Sequence, residues 1–491
     1  MSTTTESPTR SALNVETNGL NPIDESERKG HPSNLFWPWF AANVSIFGIS
    51  YGAFLLDFGI SFWQATIVAI IGIVASFLLC GFVSLAGKRG SAPTLTLSRA
   101  PFGVDGNRLP SLISWIITVG WETVLASLAV LATSTVLVAL GVVRSPLVDV
   151  LALVVVVVLI IAGGIYGFEM IMRMQLVITI VTAVLTVVYI VLVLPQIDFA
   201  GVLGIPDGSL PQVIGGLVFM MTGFGLGGVL AGADYSRYLP RSSSSSGVVG
   251  WTTGGAALAP IILVVFGLLL AGSSDELRGA IGEDPIGALS TILPLWFLIP
   301  FAIVAVLGLI GGAILDIYSS GLALLSTGLR VPRWVAAAID GVIMIIGTIY
   351  IVFVAGDFIG PFQAFLITLG VPIAAWCGIF LADVTLRKRP YSEKDLFDRR
   401  GRYGSVNWLS IGTLLVTTFL GWGLVFNAFG PEWVKWQGYL LDIFGLGGRD
   451  GVWGGANLGV LVALVLGYLV VVIFGRGTVR RQEGTSREVD Q

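Results

Sequence analysis

Three features hold residue types that could do chemistry where chemistry is expensive. Glu122 is the only charged residue in the apolar run 111–139, and Trp121 stands beside it. Asp316 is the only charge in the run 293–323, within Ala313-Ile314-Leu315-Asp316-Ile317-Tyr318-Ser319-Ser320-Gly321. A carboxylate facing lipid in such a run costs several kcal/mol, so each should face an interior. There it can carry a proton or hydrogen-bond a polar solute. The alternative is a structural acid, neutral and bonded to a neighbouring helix. The third feature is glycine. Phe47-Gly48-Ile49-Ser50-Tyr51-Gly52 and Thr222-Gly223-Phe224-Gly225-Leu226-Gly227-Gly228 interrupt two runs that should otherwise be regular helices. A helix broken in hydrocarbon frees N–H and C=O groups that something must satisfy, and a substrate or ion can do it. The alternative is close packing through small residues, since Gly223 and Gly227 have small-xxx-small spacing.

Other chemistries are excluded by inventory. The single histidine, His31, lies in a polar N-terminal stretch. Ser-His-Asp catalysis, histidine zinc sites and haem held by histidine pairs therefore have no residues to use. Cys80 and Cys377 sit inside apolar runs, without disulfide or metal spacing. The string Gly81 to Arg89 looks faintly like a phosphate loop, but it has five intervening residues and Arg where Ser or Thr is needed. No loop is long enough for the nucleotide domain of an ATP-driven pump. Neither a cofactor nor an enzymatic activity is expected.

The elements that must position these residues are membrane spans. The 491 residues are 55% apolar and 12% charged, against about 25% charged in an ordinary soluble domain. The net charge of −3 carries no basic patch for nucleic acid. A helix crossing the bilayer needs about 20 mostly apolar residues. Twelve runs qualify: 36–57, 62–86, 111–139, 148–167, 171–194, 212–233, 249–271, 293–323, 334–354, 359–384, 407–428 and 454–475. They are called spans 1 to 12 below. Span 8 is long enough to include a re-entrant piece. Residues 1–34 and 476–491 read as polar tails, the first disordered, around a transporter-sized domain at 35–475. With both ends placed inside the cell, inner segments hold 23 Lys and Arg and outer segments only 4, Arg144, Arg278, Lys435 and Arg449. One span more or fewer would scramble that partition. The expected protein is thus a multi-pass cell-membrane protein with cytoplasmic termini. The glycine breaks then fall in spans 1 and 6, the first helices of two five-helix halves, and such matched breaks mark a transport site.

Weaker candidates surround these. Asn43 and Ser45 are polar groups on span 1. Gln363, near the start of span 10, could donate to and accept from a solute, or could simply be interfacial beside Pro361. Trp121 and Phe224 offer flat faces for stacking. Asp234, Asp340 and Asp383 sit near inner helix ends, where pairing with arginine or capping is the expected role.

Several motifs together resemble the nucleobase–cation symporter 1 family, in its cytosine and purine permease branch. They are Trp39-Phe40-Ala41-Ala42-Asn43, Phe58-Gly59-Ile60-Ser61-Phe62-Trp63-Gln64-Ala65, Gly90-Ser91-Ala92-Pro93-Thr94, Leu97-Ser98-Arg99-Ala100-Pro101-Phe102-Gly103, Gly120-Trp121, Ala233-Asp234-Tyr235-Ser236-Arg237-Tyr238, Ile317-Tyr318-Ser319 and Gly378-Ile379-Phe380-Leu381-Ala382-Asp383. The likeness covers Leu35 to about Gly475. It implies an all-α leucine-transporter fold, with spans 1–5 and 6–10 as inverted repeats and two added helices. It also implies a planar base held between aromatics on spans 3 and 6, for which Trp121 and Phe224 are the matching positions. Sodium-coupled members carry hydroxyls on span 8 ahead of the tyrosine, where this chain has Gly311-Gly312. Asp316 replaces an Asn of some members. Both departures weaken a sodium site and favour a proton carried by Glu122 or Asp316, although Ser319 and Ser320 could still serve if the register shifts.

The resulting expectation is import of a nucleobase, cytosine or a purine, by proton or sodium symport. Trp121 and Phe224 would stack on the base and Glu122 would bond an amidine-like edge. Backbone groups at Gly48 and Gly225, with Gln363, would complete the site, and Glu122, Asp316 and Ser319 would handle the coupling ion. Allantoin, hydantoin or thiamine is the alternative cargo. A channel or receptor is the alternative class, but a channel needs a continuous polar lining.

Overall fold

The computed structural model describes residues 21–166, 168–329, 331–427 and 430–484. Residues 1–20 and 485–491 of the two tails lie outside these, as do Arg330 and the side chain of Arg173, both counted above on the basic side. The described residues form helices and no strand, because a helix satisfies its backbone internally where water is absent.

Among the described residues, nine helices are long and apolar enough to cross a membrane, or eleven if each of two bent pairs is one span. The remaining run, span 11, is a helix of 15 residues, Trp408–Trp422. At about 1.5 Å per residue it is roughly 22 Å long, short of the ~30 Å hydrocarbon core. Twelve spans are reached only by including it. Span 8 is one continuous helix, Leu295–Ser326, with no re-entrant piece.

Local signals set the ends. Ser61 and Gln64 form a capping box at the start of span 2, Phe62–Gly90, and Ser91 ends it in the left-handed region with φ 58°. Ser209 and Gln212 cap span 6 in the same way, with Pro211 in its first turn.

The spans pack in two groups. Spans 1 (Phe36–Asn43 and Phe47–Leu56), 2, 6 (Leu210–Gly223 and Gly225–Gly228) and 7 (Ser245–Gly272) form one. Spans 3 (Arg108–Ala139), 4 (Pro146–Tyr166), 8 and 9 (Arg333–Phe353) form the other. Span 5 (Phe168–Val193) lies on span 8, and span 10 (Ile359–Leu386) packs with span 11 and span 12 (Leu458–Phe474). Spans 2 and 7 hold equivalent places in the two halves and pack on each other, and so do spans 3 and 8.

In the first group the backbones of spans 1 and 7 touch. A Cβ on Gly52 would come within 2.2 Å of the Gly267 carbonyl carbon, and one on Gly267 within 1.9 Å of the Ile49 oxygen. Gly48 belongs to the same seam, its hypothetical Cβ meeting Leu263 at 3.0 Å. The Gly48-xxx-Gly52 pair is therefore a packing motif.

The basic side is fastened by its own charges. Lys88 donates to the Ser243 carbonyl at 2.7 Å, Arg89 to the Val384 carbonyl at 2.9 Å, and Arg99 to the Leu396 carbonyl at 3.1 Å. Asp383 pairs with Arg387 at 2.6 Å, as expected, and Asp234 accepts the Thr94 amide and hydroxyl at 2.8 Å. The tails differ from expectation. Ile23 is buried, and Arg28 inserts its guanidinium against the Leu239 and Lys88 carbonyls and the Ser91 hydroxyl. Residues 476–484 form a helix, Arg476–Gly484, bent 56° from span 12, whose Gln482 accepts from Arg387 at 2.7 Å. Composition reports polarity, and these polar side chains find partners in the loops.

Gly52→Ala should force spans 1 and 7 apart and cost about 1–3 kcal/mol. The check is a fall of several degrees in the melting temperature of the detergent-solubilised protein. Gly254→Ala on span 7, where a Cβ meets nothing within 4 Å, should melt at or above the parent temperature.

Candidate functional site

Span 3 backs onto span 8 along much of its length, and this contact buries Glu122 completely. Among the described residues neither carboxyl oxygen has a hydrogen-bond partner. The groups that act on it are the Ser320 hydroxyl and the carboxyls of Asp316 and Asp340. Trp121, one residue back, is half-buried and meets Phe362 and Phe365 edge-on, both at 5.9 Å. Its indole nitrogen faces span 6, where a Cβ on Gly227 would lie 3.4 Å away. A Cβ on the next residue, Gly228, would lie 3.4 Å from Trp39 of span 1. The span 6 break thus lies between the first half of span 1 and Trp121.

That break falls where the glycines place it. Phe224, at φ −118° and ψ −102°, separates Leu210–Gly223 from Gly225–Gly228. Its ring rests on Tyr51 at 4.5 Å and faces Phe77 at 6.5 Å. The groups freed there are taken up by the protein. The Gly225 amide donates to Ser76 Oγ at 3.1 Å, and its carbonyl accepts from Cys80 Sγ at 3.1 Å. The Gly223 carbonyl accepts from the Tyr51 hydroxyl at 3.2 Å. A Cβ on Gly225 would lie 2.2 Å from the Ser76 carbonyl carbon, so glycine is what lets spans 2 and 6 close on each other.

The span 1 break differs from expectation. It falls at Val44, Ser45 and Ile46, with a 71° bend, and not at Gly48. The Gly48 amide donates to the Ser45 carbonyl at 2.9 Å, inside the new helix. Gly48 and Gly225 therefore do not offer open backbone groups. Asn43 sits at the break and turns its amide back to the Trp39 carbonyl at 2.8 Å.

The other candidates divide. Asp316 is half-buried and on the Glu122 side of span 8. Ser319 is exposed and bonds back to the Leu315 carbonyl, whereas Ser320 is buried and donates to Asp340 at 2.7 Å. One residue of helix rotation, about 100°, decides between them. Among the described residues Asp340 has no arginine partner of the expected kind. It accepts Ser320 on one oxygen and Trp115 Nε1 on the other, at 2.7 Å. Gln363 lines an outer cavity of about 580 Å³ together with Asp57, Asp357, Gln212 and Asn457. In that cavity burial pushes the Asp57 carboxyl up to about 6, while Arg278, 3.5 Å away, pulls it back.

A layer of rings separates the two regions. Phe47, Tyr51, Phe54, Phe219, Phe358 and Phe362 are each at most 5% exposed. Tyr51 touches Phe224 and Phe362 touches Trp121 on one side, while Phe219 lines the outer cavity on the other. The way from the outer cavity to Trp121 is closed by this layer.

Sequence reasoning missed Tyr51, Ser76, Cys80, Trp115 and the bonding of Asp340. Only Asp340, the one charged residue in the run 334–354, carried a signal.

Residues 22–438 match the family model described as permease for cytosine/purines, uracil, thiamine, allantoin. The chain belongs to this family. It is 24% identical over 475 residues to a putative purine-cytosine permease, YxlA, of Bacillus subtilis, covering 94% of this chain and 96% of that one. It is 32% identical to the purine-cytosine permease FCY2 of Saccharomyces cerevisiae, over 120 residues that span 24% of this chain and 22% of the relative. Among solved structures, the inward-facing conformation of Mhp1 aligns with TM-score 0.72 at 17% identity, covering 97% of this chain and 96% of that one. Mhp1, a nucleobase-cation-symport-1 family transporter, in a closed conformation with bromovinylhydantoin bound aligns with TM-score 0.67 at 18% identity, covering 95% and 96%. A Na+-coupled sialic acid symporter aligns at 0.56 and 14% identity, covering 93% and 91%. The fold of this multi-pass membrane protein is therefore the expected leucine-transporter-like one.

Ser76→Ala strands the Gly225 amide and should cost about 1–3 kcal/mol, read as a lower melting temperature. Ser319→Ala, on the exposed face, should change stability by less than about 0.5 kcal/mol and leave uptake at the parent rate.

Proposed function

We propose that this protein imports a nucleobase, cytosine or a purine, across the cell membrane by proton symport, with its basic side facing the cytoplasm. The observation that carries this reading is the Glu122 carboxyl. It lies mid-span and fully buried, next in sequence to the Trp121 that faces span 6, and neither oxygen is bonded among the described residues. A buried polar group without a partner costs about 1–3 kcal/mol, which a fitting ligand recovers on binding. As the neutral acid, Glu122 offers one O–H donor and one carbonyl acceptor. Those two groups complement the amidine edge of cytosine or adenine, a ring nitrogen acceptor beside an amino donor. The names of the purine-cytosine permease relatives support the same class of cargo.

Trp121, half-buried and facing the side-chain-free Gly227, supplies the stacking face. Phe224 supplies the second once it turns from Tyr51. A proton suits the coupling role better than sodium, because Gly311 and Gly312 bring no hydroxyls to span 8. Gly312 instead lets span 8 approach Leu125 of span 3, at 3.0 Å from a hypothetical Cβ. Transport follows from rocking one group of spans against the other around this layer. Hydantoin is the second reading, supported by the ligand in the Mhp1 structure.

Uptake of radiolabelled cytosine, adenine, hypoxanthine and hydantoin into a transport-null strain tests the cargo. Accumulation of a base above background is expected, and accumulation of hydantoin alone would replace the first reading with the second. Trp121→Ala should weaken binding by ~1–2 kcal/mol, about ten-fold in affinity; unchanged affinity would remove Trp121 from the site. Glu122→Gln should abolish accumulation driven by a pH gradient, and full pH-dependent accumulation would eliminate its coupling role.

A further inference from the structure

On the basic side, the loop between spans 10 and 11 and the terminal helix Arg476–Gly484 border a cavity of about 930 Å³. Four cations line it, Lys394, Arg400, Arg402 and Arg481, against one carboxyl, Asp395. Tyr391 and Tyr403, each at most 4% exposed, stand in its wall. The Arg387 guanidinium lies over both rings, at 5.2 and 5.3 Å, and that of Arg402 over Tyr403 at 5.0 Å. Arg402 is a fixed part of this wall, with its side chain 8% exposed. Its Nη2 donates to the Pro390 carbonyl at 2.9 Å and to the Tyr403 hydroxyl at 2.8 Å. Its Nε stands 3.6 Å from Asp395 Oδ2 and makes no hydrogen bond among the described residues.

The acids nearby are committed elsewhere. Glu393 pairs with Arg241 at 3.2 Å, Asp105 with Arg399 at 2.9 Å and Asp383 with Arg387 at 2.6 Å. Asp395 is taken by Arg402, and Asp398 accepts the backbone amide of Arg400 at 2.8 Å. Among the described residues neither the Lys394 ammonium nor the Arg400 guanidinium has a partner. Like charges gathered in one concave site repel each other, and an anion that enters is attracted by all of them.

The cavity also reaches the membrane boundary. Trp408, in its lining, is the first residue of span 11 and is 76% exposed. Leu415, Val416 and Phe419 follow it at helical spacing and are exposed too, so an apolar stripe runs from the cavity along span 11. That helix has only 15 residues, and a span shorter than the hydrocarbon core thins the bilayer and draws headgroups toward its ends. We propose that this cavity binds the phosphate of an anionic phospholipid in the leaflet on the basic side, with the acyl chains lying on the span 11 stripe. Arg400 and Arg402 offer the planar donor pairs that match phosphate oxygens, and Lys394 and Arg481 add charge. Trp408 stands at headgroup level, where tryptophan is at home. Basic pockets beside membrane helices hold lipid headgroups by the same chemistry. The lipid bridges the loop, through Arg400 and Arg402, to the terminal helix, through Arg481.

The test is the melting temperature of the full chain in neutral detergent with added dioleoyl phosphatidylglycerol or dioleoyl phosphatidylcholine. Phosphatidylglycerol should raise it by several degrees more than phosphatidylcholine does, because a ligand of the folded state stabilises that state. Lys394→Gln with Arg400→Gln should cut that difference by half or more, while melting with the parent in phosphatidylcholine. Arg476→Gln with Arg480→Gln removes the same charge from exposed positions of the terminal helix outside the cavity, and should keep the full difference. An undiminished difference in the first double variant, an equal loss in both, or no difference between the lipids in the parent overturns the proposal. Should the first double variant not fold, Arg400→Gln alone carries the same expectation and the same overturning result. Inorganic phosphate, added in phosphatidylcholine at ionic strength matched with chloride, separates the sources. No stabilisation by it supports the lipid, and a shift equal to that of phosphatidylglycerol overturns the lipid in favour of free phosphate.

Discussion

A helix broken inside a bilayer has to satisfy the backbone groups it frees, because hydrocarbon offers no water to do so. Much of this structure follows from that constraint at Phe224. The break in span 6 is possible because Ser76 and Cys80 of span 2 take the Gly225 amide and carbonyl, and Tyr51 of span 1 takes the Gly223 carbonyl. Those three bonds tie spans 1, 2 and 6 together at mid-membrane. They require spans 2 and 6 to come so close that no Cβ fits at Gly225. The same closeness recurs where Gly52 and Gly267 bring spans 1 and 7 into backbone contact. The first group of spans is therefore tied together at mid-membrane, and Gly227 of its span 6 faces Trp121.

The second group meets a different constraint. Its apolar helices carry acids and, among the groups described at their level, no compensating cation. Ionised carboxylates there would cost several kcal/mol each. Among the described residues Glu122 is left without a donor while Asp340 is given two. Glu122 lies deeper in the bundle, and Asp340 nearer its basic end. The ring layer from Phe47 to Phe362 closes the opposite direction.

Charge organises that side. Arg28, Lys88 and Arg99 donate to carbonyls of loops that follow other spans, and Arg89 to one in the last turn of span 10, so residues remote in sequence are held in one face. Exposed ion pairs contribute little to stability, roughly 0–1 kcal/mol each. The buried pair Asp383–Arg387 differs, since removing either partner strands a charge away from water.

Hydropathy, the lysine and arginine partition and the glycine string at 222–228 were legible in the chain alone, and they determined a polytopic helical protein with a break in span 6 and a buried acid beside Trp121. Family motifs added the repeat architecture. Rotational register was not legible. A span facing lipid on one side and protein on the other is apolar all round, so its sequence carries no moment to say which residues point inward. Hence Ser319 and Ser320 were indistinguishable until span 8 packed on span 3, and Asp340 could not be joined to Trp115. The break in span 1 was misplaced for a related reason. Gly48 is small because Leu263 of span 7 lies against it, while Val44 to Ile46 break without any glycine, and only the packed spans decide which of those happens.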